Sequence, residues 1–282
     1  MPEIKLIALD LDGTLLNSAK ELTSRSRAAL EAAAEAGIQV VPATGRFYRG
    51  MPEVIRGLPF VRYCITTNGA EIYDVQAGRD LFTAAIPLEE ALEVLDYLDG
   101  LPVIYDCYAG GWGYMTARMQ AEAEAYIDYA PSLRMVRELR EPVPELKAWL
   151  RENAVSPQKL QLFTRDIPLR DALLGSLAQR FPRLVFTASL PNNLECNAAE
   201  AGKDHALLLL AARLGIPREE TVAFGDGLND LAMLRAAGIG VAMQNARPEV
   251  LAAADRVSED CDSDGVAKMI ETLLREQQGG KP

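Results

Sequence analysis

Short apolar runs alternate with amphipathic stretches near the N-terminus of the chain. Residues 4–9 form the first apolar run, a helical pattern covers residues 23–36, and residues 38–41 form the next apolar run. Gly37 follows the helical pattern, as glycine commonly does at a helix C-terminus. Strand, helix and strand in this order predict a βαβ unit and therefore a parallel sheet.

The same alternation returns late in the chain. The predicted strands there are residues 221–224, 239–242 and 256–258, and the predicted helices are residues 228–236, 248–254 and 266–274. Earlier, residues 63–66 form a further strand, and the Asn68-Gly69 pair signals a turn before a returning strand at residues 71–73. Two α/β stretches therefore flank the middle of the chain.

The middle has a different pattern, with a hairpin-like, glycine-containing segment at residues 103–117. We predict that residues 83–188 form a second α/β domain, inserted into a first domain of residues 1–82 and 189–282. Four aromatic residues of the hairpin segment are spaced as on strand faces, and packing in a small core is favoured over a ligand platform for them: Tyr105, Tyr108, Trp112 and Tyr114.

The charge of the chain limits its partners. The formal net charge of the 282 residues is −11. Binding to DNA or RNA requires clustered lysine and arginine, which this chain lacks, so we expect no nucleic-acid partner. A small anionic substrate is compatible with this charge if a few cations lie close to it.

The absence of certain sequence patterns indicates where in the cell we expect the protein. The first ten residues show no basic segment, long apolar segment or cleavage pattern, so we expect no secretory signal, and no later apolar run reaches membrane-spanning length. The four cysteines lie far apart without CxxC spacing, and there is one histidine to join them in a metal site. We therefore expect reduced thiols in a cytoplasmic protein with no membrane partner.

The sharpest chemical feature is the segment Asp10-Leu11-Asp12-Gly13-Thr14, directly after the first apolar run. Ligands of parallel sheets collect at the carboxyl ends of the strands, where both acids are expected. Two carboxylates so close together repel each other, and a divalent cation would relieve that repulsion. The alternative interpretation is an Asp-Gly turn with incidental acids.

A second acidic segment, Gly225-Asp226-Gly227-Leu228-Asn229-Asp230, also follows an apolar strand. An Asn or Asp helix cap would explain one such loop. Two acidic strand ends can share one hard cation, and Mg²⁺ prefers oxygen ligands in an octahedron that keeps several waters. The pair of segments therefore favours a Mg²⁺ site at the edge of the sheet.

Two further segments offer groups that bind phosphate. At the end of strand 38–41, the hydroxyl of Thr44 and the backbone N–H groups near Gly45 can hold phosphate oxygens, and a plain strand-ending turn is the alternative. Lys203, before a predicted helix at residues 206–214, can neutralise a phosphate, and a solvated surface lysine is the alternative. We interpret His205 as a polar residue of the first helical turn rather than as an acid or base.

Taken in order, these four segments resemble the motifs of the haloacid dehalogenase superfamily, and within it the Cof-like (type IIB) sugar phosphatases. The resemblance spans nearly the whole chain. It implies a Rossmann-like parallel-sheet core with an inserted α/β cap that contacts the substrate. Asp12 separates the phosphatase and mutase branches from the dehalogenases and ion-pumping ATPases, which lack a carboxylate there. The sequence departs from the group at Gly202, where serine is common, and at Asp204, where glycine is usual.

The resemblance also implies residue roles. Asp10 would be the nucleophile, and Asp12 would be the general acid and base. The Mg²⁺ ligands would be Asp10, Asp12 through its carbonyl, Asp226 and Asp230, the last either as a direct ligand or beside one. The transferring phosphoryl group would be held by Thr44, Gly45, Lys203 and Asn229. The implied activity is hydrolysis of phosphate monoesters through an aspartyl-phosphate intermediate.

Several functions remain open at this point. The expected substrate is a small phosphorylated metabolite, either a sugar phosphate or a phosphorylated cofactor. A dedicated sucrose-phosphate or mannosyl-phosphoglycerate phosphatase is an alternative among enzymes. A catalytically silent module that senses phosphorylated metabolites is an alternative of another class, and the presence of Asp10, Asp12 and Lys203 counts against it. The sequence does not indicate an oligomeric state.

Overall fold

The computed structural model describes residues 3–279. The strands are β1 (Leu6–Leu9), β2 (Gln39–Pro42), β3 (Tyr63–Thr66), β4 (Glu71–Asp74), β5 (Arg79–Thr83), β6 (Ile104–Ala109), β7 (Trp112–Thr116), β8 (Arg140–Val143), β9 (Lys159–Phe163), β10 (Leu184–Thr187), β11 (Asn193–Ala198), β12 (Thr221–Gly225), β13 (Ile239–Met243) and β14 (Arg256–Ser258). The helices are α1 (Ser24–Glu35), α2 (Glu53–Arg56), α3 (Leu88–Leu98), α4 (Ala117–Glu122), α5 (Ala130–Glu138), α6 (Leu146–Glu152), α7 (Ile167–Arg180), α8 (Lys203–Arg213), α9 (Leu231–Ala236), α10 (Pro248–Leu251) and α11 (Gly265–Gly279). Among these residues, none of the helices has the length and apolar character needed to cross a bilayer.

The chain divides into two compact units, and the first holds a five-stranded parallel sheet. This unit comprises the chain up to Gly45, Met51–Phe82 and the chain from Gly202 onward. Its sheet has the order β14-β13-β12-β1-β2, and every neighbouring pair is parallel. All four residues of β1 are buried, as a strand covered on both faces requires. The predicted parallel α/β sheet is confirmed.

The third predicted strand lies outside this sheet's ladder. β3 belongs to a three-stranded sheet of order β3-β4-β5 and pairs antiparallel with β4. A parallel bridge between Ala43 and Ile65 connects it to the end of β2, and the N–H of Thr44 donates to the carbonyl of Ile65 at 2.9 Å. The loop after β3 therefore lies beside the loop after β2.

The second unit comprises Arg46–Gly50 and Thr83–Ala201. Its six-stranded sheet has the order β10-β11-β9-β6-β7-β8 and is antiparallel except for the pair β7 and β8. Tyr105 and Tyr108 are buried, and Tyr114 stacks on Trp149 with ring centroids 4.1 Å apart. Packing therefore accounts for these aromatic side chains.

The boundary of the second unit differs from the one that we predicted. β11 pairs with β9 and with β10, so the unit continues to Ala201 instead of ending at residue 188. The sequence of β11, Asn-Leu-Glu-Cys-Asn-Ala, alternates polar and apolar residues, yet both sets are buried. One buried polar partner is Lys159, which pairs with Glu195 at 2.8 Å. Residues 46–50 also belong to this unit, although they lie far from it in sequence.

Candidate active site

Asp10 lies at the carboxyl end of β1, between the ends of β12 and β2. Its backbone N–H donates to the carbonyl of Phe224 at 3.0 Å, which extends the pairing of β1 with β12 beyond the last strand residue. The residue is 6% exposed. Asp10 is therefore held at the centre of the sheet edge where ligands of parallel sheets bind.

The loop after β12 brings Asp226 to the turn that follows Asp10. The hydroxyl of Thr14 donates to Oδ1 of Asp226 at 2.7 Å. Gly13 has a φ of +90°, and a Cβ on it would lie 2.6 Å from Oδ2 of Asp226. Glycine is required here both for its left-handed backbone and for the close approach of the carboxylate. The side-chain amide of Asn245 donates to the carbonyl of Gly13 at 2.8 Å and so fixes the turn.

Asp230 connects this loop to Lys203. Its Oδ2 accepts the backbone N–H groups of Asp226 at 3.1 Å and of Gly227 at 2.9 Å. Its Oδ1 accepts Nζ of Lys203 at 2.6 Å. The residue is 1% exposed. Both carboxylate oxygens of Asp230 are engaged in holding the loop and the lysine.

Lys203 is the first residue of α8, and its ammonium lies between two acids. Its Nζ is 2.6 Å from Oδ1 of Asp10 and 2.6 Å from Oδ1 of Asp230. Burial alone would lower the pKa of Lys203, but the charges of Asp10 and Asp230 outweigh burial and raise that pKa. The residue is 2% exposed, so it is not a solvated surface lysine.

The sequence departs from the family pattern at Gly202 and Asp204, and these two residues are sterically compatible. A Cβ on Gly202 would collide with Oδ1 of Asp204, so the glycine makes room for the carboxylate. Asp204 lies in the first turn of α8, where a negative charge interacts favourably with the helix dipole. The pair is therefore compatible with the position of Lys203.

Three carboxylates meet at this edge of the sheet. One oxygen each of Asp10, Asp226 and Asp230 lies within 4.8 Å of the others. Burial raises the pKa of Asp10 well above its ordinary value; Lys203 opposes this, and the charges of Asp230 and Asp226 add to it. Burial also raises the pKa of Asp226 to about 6. The hydrogen bond from Thr14 acts to lower this pKa, and the charge of Asp230 acts to raise it. The negative charge of the cluster exceeds what one ammonium neutralises.

This cluster fits a hard divalent cation. All its donors are carboxylate oxygens, which Mg²⁺ prefers, and ligands on opposite sides of a Mg²⁺ octahedron are about 4.2 Å apart. A cation would also relieve the repulsion and the burial that disfavour the ionised carboxylates. The structure thus brings Asp10, Asp226 and Asp230 together as the sequence predicted.

The side chain of Asp12 lies outside the three-carboxylate cluster. It is 33% exposed, and its Oδ1 is 3.0 Å from Nζ of Lys20. Lys20 has a left-handed φ of 63°, and its N–H donates to the carbonyl of Asn17 at 2.8 Å. Sequence reasoning missed Lys20, because no local signal predicts that this loop returns a lysine to Asp12. Asp12 is accessible to solvent, whereas Asp10 is buried.

Asn68, which the sequence indicated only as part of a turn, lies beside Thr44, Gly45 and Asn229. The carbonyl of Thr44 accepts the N–H of Asn68 at 3.0 Å. A Cβ on Gly45 would lie 2.7 Å from Oδ1 of Asn68. Nδ2 of Asn229 is 3.5 Å from the same oxygen. Asn68 is therefore a common neighbour of three predicted phosphate-binding residues.

The backbone around Asn68 is strained. Thr67, Asn68 and Gly69 have consecutive φ values of 54°, 58° and 89°. The left-handed conformation costs an L-residue roughly 1–2 kcal/mol. Glu71, which is 3% exposed, accepts the hydroxyls of Thr66 at 2.8 Å and Thr67 at 3.1 Å and so helps to retain the loop. The Asn-Gly pair signals a turn but does not predict these contacts.

Comparison with known proteins agrees with this arrangement. The family described as haloacid dehalogenase-like hydrolase matches residues 7–270. The chain belongs to this family. Phosphatase YwpJ of Bacillus subtilis is similar to this haloacid dehalogenase-like hydrolase, with 33% identity over 96% of the chain and 100% of the relative. The 5-amino-6-(5-phospho-D-ribitylamino)uracil phosphatase YcsE of the same organism is 31% identical over 95% of each protein.

The fold of this haloacid dehalogenase-like hydrolase has a solved counterpart. A sugar phosphatase of haloacid dehalogenase subclass IIB superposes with a TM-score of 0.79 over 96% of this chain and 99% of that chain, at 24% identity. The predicted family and the phosphatase class are confirmed. The predicted fold, a Rossmann-like core with an inserted α/β cap, is confirmed as well. This haloacid dehalogenase-like hydrolase is a phosphatase of small phosphorylated metabolites.

Proposed function

We propose that this phosphatase is Mg²⁺-dependent and that it hydrolyses phosphate monoesters through a phosphoryl group held covalently on Asp10. The observation that carries the proposal is a buried carboxylate, Asp10, paired with the buried ammonium of Lys203 beside two further carboxylates within 4.8 Å. Phosphoryl transfer depends mainly on positioning and on neutralisation of charge, and this arrangement provides both.

The ligands proposed for Mg²⁺ are the side chains of Asp10 and Asp226 and the backbone carbonyl of Asp12. When bound, Mg²⁺ offsets the charge on the phosphoryl oxygens and on the carboxylates. We assign Asp230 a supporting place beside the metal, because its two oxygens already accept hydrogen bonds from Lys203 and from the loop at Asp226.

The first step forms the aspartyl phosphate. A carboxylate oxygen of Asp10 attacks phosphorus in line, and the bond from phosphorus to the leaving alcohol oxygen breaks. Asp12 gives its proton to that oxygen as the alcohol leaves. The phosphoryl oxygens are held by Lys203 and by the groups of Thr44 and Gly45, and Asn229 orients them.

The second step returns the enzyme to its starting state. Asp12, now ionised, takes a proton from a water molecule, and the water oxygen attacks the phosphorus of the aspartyl phosphate. The bond between phosphorus and Asp10 breaks, which releases inorganic phosphate and restores the carboxylate. The partial exposure of Asp12 supports this role, because its carboxyl must reach both the alcohol and water.

For the substrate, we propose a sugar phosphate or a phosphorylated cofactor. The name of the relative YcsE describes a phosphorylated ribityl compound, which supports a polyhydroxylated leaving group. We propose that the second unit supplies the contacts to that group. A dedicated sucrose-phosphate or mannosyl-phosphoglycerate phosphatase is a narrower form of the same proposal.

We also propose a cytoplasmic location. The four cysteines are free. Three of them are buried, namely Cys64, Cys107 and Cys196, and Cys261 is partly exposed. Free thiols support a reducing compartment.

The direct test is hydrolysis of p-nitrophenyl phosphate with Mg²⁺ and with EDTA, followed by a panel of phosphorylated sugars and cofactors. We expect turnover that requires the metal and a panel member that is hydrolysed faster than its neighbours. Folded, Mg²⁺-supplied protein that hydrolyses none of these esters would support the silent metabolite-binding module instead.

The substitution Asp226→Ala removes one proposed ligand of Mg²⁺. We expect the Mg²⁺ concentration that gives half-maximal activity to rise by about 10- to 100-fold or more. Substitution of residues that only orient metal ligands already weakens metal binding by about this factor. The measurement is a Mg²⁺ titration of p-nitrophenyl phosphate hydrolysis. An unchanged titration curve would remove Asp226 from the ligand set.

The raised pKa of Asp226 predicts a pH-dependent effect of Mg²⁺ on stability. Its pKa of about 6 in the folded protein lies above the ordinary 3.8, so the folded state binds this proton more tightly than the unfolded state. In metal-free protein this carboxyl adds stability that is fully present below about pH 4 and is lost as the pH rises to about 6. Mg²⁺ competes with the proton, so we expect Mg²⁺ to raise the Tm more at pH 7 than at pH 5.

Thermal unfolding with Mg²⁺ or EDTA at several pH values checks this prediction. The variant Asp226→Asn, which cannot ionise at this position, should lose part of the pH dependence. Equal Mg²⁺ effects on the wild-type Tm at pH 5 and pH 7 would contradict the prediction.

A further inference from the structure

The turn Thr67-Asn68-Gly69, called here the 67–69 turn, contacts every element to which phosphate binding is assigned above. The N–H of Asn68 holds the carbonyl of Thr44 at 3.0 Å. A Cβ on Gly69 would collide with the carbonyl of Gly202 and would lie 2.7 Å from the backbone nitrogen of Lys203. The turn therefore packs directly against the residues that carry the hydroxyl and the ammonium.

The side chain of Asn68 makes the remaining contacts. Its Oδ1 lies so close to Gly45 that a Cβ on that residue would be 2.7 Å from the oxygen. The same oxygen is 3.5 Å from Nδ2 of Asn229. Asn68 itself is 7% exposed. One buried amide thus limits the space beside Gly45 and contacts the side chain of Asn229.

The conformation of the turn is more demanding than a hairpin requires. Two residues in a primed turn are enough to join antiparallel strands, yet here three consecutive residues have positive φ. A buried carboxylate, Glu71, accepts the hydroxyls of Thr66 and Thr67 and holds this backbone. Strain that the surroundings maintain in this way is typical of functional sites.

We propose that Asn68 is a positioning residue for phosphoryl transfer, which holds the Thr44–Gly45 turn and the Asn229 side chain where the phosphoryl oxygens bind. The inference rests on the proposed function of the site. Asn68 acts through its neighbours, because its N–H is committed to Thr44 and its amide oxygen faces Gly45 and Asn229. A displacement of these groups by about 1 Å is enough to reduce the rate of the chemical step by about 100-fold.

Two substitutions of Asn68 separate the contribution of its side-chain amide from that of its left-handed backbone. Asn68→Gly keeps the left-handed backbone and removes the amide. Asn68→Asp keeps the left-handed preference and the side-chain volume, and it places a negative charge beside the phosphoryl site. We expect kcat for p-nitrophenyl phosphate to fall by about 10- to 100-fold in Asn68→Gly, with a smaller change in KM. We expect a larger loss in Asn68→Asp, together with weaker inhibition by inorganic phosphate.

An order in which aspartate is tolerated better than glycine would identify packing, whereas a fall of kcat in Asn68→Gly with the Tm and KM nearly unchanged would identify positioning. A residue that only fills space would tolerate aspartate better than glycine, because aspartate preserves the packing. The matched control is Ala154→Gly, which changes an exposed residue with a left-handed φ of 49° in the second unit and should leave kcat unchanged. Thermal unfolding of all three variants shows whether the fold is retained.

The possible results are distinct from those that test the proposed function. If the wild type hydrolyses the ester and both Asn68 variants keep kcat within twofold, the positioning role is wrong while the proposed function stands. If aspartate is tolerated better than glycine, the role is packing. If the wild type hydrolyses no ester, the proposed function is wrong, and the positioning role that rests on it is wrong as well.

Discussion

The substitution Asp10→Asn is expected to abolish phosphatase activity while leaving the protein folded. The amide has the same size as the carboxylate but cannot attack phosphorus, and loss of a catalytic nucleophile typically reduces kcat by about 10⁴-fold or more. Lys203 keeps its hydrogen bond to Asp230 in this variant, so the buried ammonium is not left without a carboxylate. The measurement is steady-state hydrolysis of p-nitrophenyl phosphate with a thermal unfolding curve for each protein.

One result would argue against this assignment, and another would require a different variant. Activity within tenfold of the wild type would remove Asp10 as the nucleophile. A variant that has lost activity only because it is unfolded at the assay temperature would show the loss in its unfolding curve, and Asp10→Ser, which also lacks the carboxylate, would then replace it.

The substitution Lys203→Met is expected to reduce both activity and stability. The variant leaves the buried carboxylates of Asp10 and Asp230 without their cation, and removal of one partner of a buried ion pair costs about 3–5 kcal/mol. Loss of a group that stabilises the charge of the transition state reduces kcat by about 10²- to 10³-fold. Because a divalent cation can offset the same charge, Mg²⁺ should raise the Tm of the variant more than that of the wild type.

A matched control for Lys203 exists in the second unit. Lys147 also pairs with two aspartates, Asp96 and Asp99, but its partners are exposed. Exposed ion pairs contribute about 0–1 kcal/mol, so Lys147→Met should change the Tm little and leave kcat unchanged. An equal loss of stability in the two methionine variants, or an unchanged Tm in Lys203→Met, would contradict the account of the buried pair.

The strand ends that carry the site were predictable because local patterns determine them. A continuous apolar run followed by acids indicates a buried parallel strand with ligands at its carboxyl end, and β1 with Asp10 and β12 with Asp226 follow that rule. The position of Lys203 was not predictable in this way. Its contact with Asp10 joins residues 193 positions apart, and only the resemblance to a family assigned it to the site.

In other parts of the molecule, the sequence pattern was misleading or gave no indication of the structure. β11 contains Asn193, Glu195 and Asn197, which suggest an exposed face, but these side chains are buried among polar partners, so the second unit extends further than predicted. Lys20 and Asn68 both have a left-handed backbone, and their side chains contact residues elsewhere in the chain, Asp12 and Asn229 respectively. Such contacts leave no periodic pattern in the sequence.

The central claim, a phosphoryl group carried by Asp10, is tested most directly by trapping that group in the variant Asp12→Asn. p-Nitrophenol is a good leaving group and needs little help from an acid, whereas the second step needs the base, so the intermediate should accumulate. We expect a burst of about one p-nitrophenolate per active site and, after acid quench, a phosphoryl group on the peptide that contains Asp10. The same burst from the double variant with Asp10→Asn, or a phosphoryl group on another residue, would contradict the claim.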